Sequence, residues 1–114
     1  MRDCFPEYDL HPRGAHVDDA ISMFRRIVIE ARSFGPSVFG VITGHGSSGG
    51  TARIRSAILD ECKLMAAGGN IRGYLPGECA GDIFTSEYLS FPETQAVPVR
   101  YKRSPNPGII FIAV

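Results

Sequence analysis

Residues 38–58 read VFGVITGHGSSGGTARIRSAI and change character twice. The apolar, β-branched run bounded by Pro36 and Gly44 predicts a mostly buried strand over residues 37–43. A loop of glycine and serine follows. From Thr51, an expected helix N-cap, Ile54, Ala57, Ile58, Cys62 and Met65 recur on one helical face until Gly68-Gly69 ends the pattern. Strand, glycine loop and helix in that order are the joint on which α/β chains are built.

The neighbouring segments extend the alternation. Val17, Ala20, Ile21, Phe24, Ile27, Val28, Ala31 and Phe34 recur at three- and four-residue steps, which predicts an amphipathic helix over 17–34 with Asp18 and Asp19 at its positive end and Gly35-Pro36 as its stop. Before it, FPEYDLH is a strand candidate with Tyr8 and Leu10 on one side and Asp9 and His11 on the other. IRGYL at 71–75 is a third strand, and GIIFIAV at 108–114 is the clearest of all. Between these last two, residues 76–107 hold most of the prolines and little periodicity; DIFTSEYLSF predicts one short helix placing Ile83, Phe84 and Tyr88 on the body. The order βαβαββ predicts an α/β two-layer sandwich with a four-stranded mixed sheet and two main helices, a single domain over residues 1–114.

Composition narrows the functional classes. Twelve basic and twelve acidic residues cancel, so no global field favours nucleic acid, although VRYKR at 99–103 is a local basic cluster around an aromatic ring. Cys4, Cys62 and Cys79 are odd in number and form no C-x-x-C pair, which argues against a disulfide framework or zinc knuckle. With no signal-like N-terminus and no run of about 18 apolar residues, the expectation is a soluble, cytoplasmic protein with no membrane partner.

The glycine loop admits three readings. Residues 44–49 fit G-x-G-x-x-G, but a dinucleotide site expects that motif at the first strand-helix turn of a larger sheet, and here a strand and helix precede it. A P-loop needs lysine where Gly50 stands. The third reading joins two loops. Asp9-Leu10-His11 ends the first strand, and His45 opens the turn after the second. Parallel strands joined by a crossover end on one edge, so these segments can converge there.

Tyr8-Asp9-Leu10-His11 and His45-Gly46-Ser47-Ser48-Gly49-Gly50 resemble the L-D-L-H-G strand and H-G-x-G-x-G loop of the small MutS-related domain family. The resemblance spans nearly the whole chain, through V-D-D-A at the first helix, Arg53-Ile54-Arg55 in the second, and Asn106-Pro107-Gly108 before the last strand. Pro12 stands where the family has glycine, Ser48 occupies another glycine position, and the 76–107 connection is longer than typical. The resemblance implies a sandwich similar to the C-terminal domain of translation initiation factor 3, RNA or DNA as partner, and in several members endonuclease activity.

Under that reading Asp9, His11 and His45 are the candidate catalytic residues. One imidazole takes a proton from a ribose 2′-hydroxyl, the other protonates the leaving 5′-oxygen, and Asp9 fixes a tautomer. This chemistry requires no cofactor, yet the same three side chains suit a divalent metal that activates water, so metal dependence stays open. Gly44, Gly46, Ser47, Ser48, Gly49, Gly50 and Thr51 would offer backbone N–H groups and hydroxyls to a phosphate, with Arg13 and Arg53 pairing flanking phosphates. Gly46, Gly49 and Gly50 equally serve a tight turn without any ligand. A catalytically inactive module that grips nucleic acid or protein through the same loops and the 99–103 cluster is the alternative. A small-nucleotide enzyme is a third possibility.

Overall fold

The computed structural model of the chain describes residues 5–10, 16–44 and 49–114, and of residues 49–52 the backbone only. Among the described residues eight helices and strands follow in order: β1 Glu7–Asp9, α1 Val17–Ser33, β2 Val38–Ile42, α2 Gly49–Ala67, β3 Gly73–Pro76, α3 Ser86–Ser90, α4 Val99–Arg103 and β4 Ile109–Ala113. The strands form one mixed sheet in the order β1-β2-β4-β3, with β1 and β2 parallel and β4 antiparallel to both β2 and β3. The architecture is α/β, as the alternation predicts.

α1 buries Ala20, Phe24 and Val28, the stripe read from its spacing, and carries Asp18 and Asp19 in its first turn. It closes where Phe34 N and Gly35 N donate to the carbonyls of Ala31 and Arg32. At the end of α2, Gly69 N donates to Ala66 O and Asn70 N to Met65 O, the two bonds of a Schellman closure. α2 begins at Gly49, two residues before the Thr51 cap that the sequence predicts. Glycine is a poor helix former, so the sequence signal sets in only at the threonine.

β4 explains the continuous apolar run that ends the sequence. Its five residues are all buried because both faces of the sheet are covered. Ile110 and Ile112 pack with Leu10, Phe24, Val28, Ile54 and Ile58 under α1 and α2. On the opposite face Ile109, Phe111 and Ala113 pack with Leu75, Ala80, Phe91 and Val97. That second cover is the 76–107 connection, which folds as α3, α4 and two 3₁₀ turns, Gly77–Cys79 and Thr94–Ala96. The expected two-layer sandwich is thus corrected to a sheet with a thin third layer. Within it Tyr88 packs inward, but Ile83 and Phe84 are exposed, contrary to the sequence reading. Gly77 is needed where this layer meets the sheet, since a Cβ there would lie 1.9 Å from the Asn106 carbonyl oxygen and 2.6 Å from that of Ile109.

Candidate functional site at one edge of the sheet

Three strands pointing one way and one pointing back give the sheet a defined edge. Asp9 pairs in register with Ile42, Ile42 with Ile109, and Ile110 with Pro76. The carboxyl ends of β1, β2 and β3 and the start of β4 therefore share a rim. Leu10 N extends the β1–β2 ladder to Ile42 O at 2.8 Å, and buried Leu10 anchors this corner in the core. Asp9 stands exposed beside it.

One carbonyl organises the take-off of the glycine loop. Gly108 O accepts from Thr43 N at 2.7 Å, from Gly44 N at 3.2 Å and from the buried Thr43 hydroxyl at 3.4 Å. Gly44 has φ +86°, a conformation that carries no penalty without a Cβ. The turn bearing Gly108 is itself held twice. Gly108 N donates to Asn106 Oδ1 at 2.8 Å, and Arg55 Nε donates to Pro107 O at 2.9 Å while its Nη2 pairs with Glu78. Arg55 thereby brings the early turns of α2 to the same rim.

The structure brings Asp9 and Gly44 to one edge and shows Arg53 exposed on α2. His11, Arg13, His45, Gly46, Ser47 and Ser48 lie outside the described residues, as does the side chain of Thr51; Gly49 and Gly50 open α2. Among the described residues no group of three His, Cys, Asp or Glu could hold a metal ion, and two of the three candidate ligands, His11 and His45, are not in that set. No helix among the described residues is long and apolar enough to cross a membrane.

The basic cluster has partners. Glu7 Oε2 accepts from Arg100 at 2.8 Å and from the Tyr101 hydroxyl at 2.5 Å, and the Arg100 guanidinium sits 4.7 Å from the Tyr101 ring centre. Burial first, and the bond to Glu7 second, raise the Tyr101 phenol above its ordinary value and keep it a donor. Sequence reasoning assigned no anchoring role to Arg55 or Asn106, because those roles depend on partners at least 23 residues away for Arg55 (Glu78) and on a turn closed by β2. Compared with protein-family models, with curated proteins and with solved structures, the chain gives no match.

Proposed function

We propose that the chain binds an RNA or DNA backbone across the rim where β1 and β2 end, and that Asp9, His11 and His45 cleave a phosphodiester bond there. The observation carrying this reading is the parallel Asp9–Ile42 register, which brings Leu10 and Gly44, the sequence neighbours of His11 and His45, to the same edge. Arg55 at the rim adds support, because the helix that follows the glycine loop starts close to this edge and its N-terminal dipole favours an anion. The strands and the two long helices alternate in the order that the resemblance to the small MutS-related family implies, with α3 and α4 added between β3 and β4.

In the proposed reaction one imidazole accepts the 2′-hydroxyl proton as that oxygen attacks phosphorus, and the other delivers a proton to the departing 5′-oxygen. Asp9 orients an imidazole by accepting its second N–H. The purified chain, incubated with end-labelled RNA and DNA, is expected to cut the RNA, since DNA lacks the attacking 2′-hydroxyl and is nicked only by activated water, and His11→Ala or His45→Ala to lower the rate on the order of 10²–10⁴-fold. Binding without turnover in the parent protein overturns the catalytic reading and leaves the silent module. A parallel incubation with chelator separates acid–base from metal-assisted cleavage.

A further inference from the structure

β3 forms one side of the sheet, with β4 on one flank and no strand among the described residues on the other. Which of its backbone groups face that open side follows from the register. Ser37 and Val114 exchange both of their backbone bonds across β2 and β4, so residues 110, 112 and 114 turn their N–H and C=O toward β2, and residues 109, 111 and 113 turn theirs toward β3. Gly73 and Leu75 stand opposite Ala113 and Phe111 and point inward; Tyr74 therefore turns its N–H and C=O out of the sheet. Pro76, which has no N–H to leave unpaired, takes the next outward place. The two covers of the sheet flank this edge. Tyr74 packs with the core under α2 on one face, and Tyr88 of α3 packs on the other. A groove of about 320 Å³ opens between them, lined by Ala66 of α2, by Arg72 and Tyr74, and by Ser86, Glu87 and Ser90 of α3.

The net charge of this groove is that of one carboxylate. Arg72 is engaged within the molecule, its Nε donating to Val114 O and its Nη2 paired with Glu93. Glu87 is exposed, accepts from the neighbouring Ser86 hydroxyl at 3.2 Å, and pairs with no cation among the described residues. We infer that β3 is a strand-addition site: an extended basic peptide of a partner protein lays its backbone against Tyr74 and sets a lysine or arginine against Glu87. The inference is independent of the rim reading, since β3 and β1 form opposite sides of the sheet. Backbone exchange at an open edge is a recurring mode of peptide recognition, in which the ladder gives affinity and the flanking groove reads alternate side chains. Tyr74 offers one donor and one acceptor, and so short an edge resists indiscriminate pairing. Selection falls to the groove walls, where serine hydroxyls and an unneutralised carboxylate favour a cation. A second copy fits less well, because a twofold contact repeats the same patch and brings one unpaired Glu87 up to the other.

The test titrates the isotope-labelled chain with a capped peptide of about six residues that alternates threonine and lysine, and with its counterpart carrying glutamate for lysine. The lysine peptide is expected to bind about tenfold more tightly or better than the glutamate peptide. At saturation it slows amide exchange at Tyr74 about tenfold or more and leaves that of Val41, on an inner strand, unchanged. Methylating the backbone nitrogens of the lysine peptide removes binding. Glu87→Gln lowers the affinity about two- to fivefold and Glu87→Lys about tenfold or more, whereas Glu30→Lys, the same charge change on exposed α1, stays within about twofold. Circular dichroism checks the fold, and Glu87→Gln carries the test should Glu87→Lys not fold. Loss of affinity at Glu87 together with protection of Tyr74 supports the site. A folded parent that does not bind the lysine peptide, binding that leaves Tyr74 exchange unchanged, or a Glu87→Lys variant within about twofold of the parent overturns it. A parent that sediments as a dimer with Tyr74 protected before any peptide is added assigns the edge to a second copy and equally overturns it.

Discussion

Cys62 shows how far burial alone can move a titrating group. It sits on the core face of α2, and burial first, then the nearby Glu61 charge, push its thiol up to about 12 from an ordinary 9.0. The raised value means the folded state holds the proton after the unfolded chain has lost it. Stability from this residue is therefore complete below pH 9.0 and drains as pH rises toward about 12, by at most about 1.4 kcal/mol per pH unit. Denaturant titrations across that window are expected to show a steeper alkaline decline in the parent than in Cys62→Ala; equal slopes would contradict the assignment. Cys62 was legible as core from its helical spacing, and Asp9 as a rim residue from its place at a strand end. The partners of Arg55 were not legible. Nothing in Arg53-Ile54-Arg55 tells a solvent-facing guanidinium from one that reaches Pro107, since the choice depends on where a distant turn comes to rest.

At the scale of elements, the turn at 106–108 acts as a latch between α2, the 3₁₀ turn after β3 and the start of the glycine loop. Arg55→Ala is expected to lower stability by ~1–2 kcal/mol, from a charge-assisted bond to a carbonyl and a partly exposed ion pair. Amide hydrogen exchange at Thr43 and Gly44 should quicken with it, because both donate to Gly108. Glu78→Gln, which leaves the carbonyl bond, should cost about 0.5 kcal/mol or less. Unchanged exchange in Arg55→Ala would show that the latch holds without its arginine. The two long helices, β2 and β4 follow the predicted spans closely, because periodicity over many residues reports which side is buried. α3 and α4 are five residues each; α3 falls within DIFTSEYLSF, the stretch expected to hold one short helix, whereas α4 lacks any periodic signal. Isolated helices of that length do not persist in water, so tertiary contacts such as Tyr101 on Phe111 define α4. VRYKR therefore reads as a charge cluster in sequence and becomes a docked helix in the fold.

For the molecule as a whole, the second cover is the main departure from the sequence reading, and Phe111 is its anchor. Its ring lies 5.1 Å from that of Tyr101 and 5.8 Å from that of Phe5, so one side chain of β4 receives both α4 of the cover and the residue ahead of β1. Phe111→Ala is expected to cost ~3–5 kcal/mol in a denaturant melt and to expose the 77–106 segment to protease ahead of α1 and α2. Simultaneous loss of all segments would mean that cover and helices unfold together. The strand order carries a consequence for biosynthesis. β4 lies between β2 and β3 yet follows both along the chain, with Val38 pairing Ala113 across the longest gap in the sheet. A ribosome releasing this polypeptide from its amino end delivers the keystone after the stones it must separate. The nascent α1 and α2 must keep their apolar sides waiting until it arrives, and folding is set by that late, long-range closure rather than by the early helices.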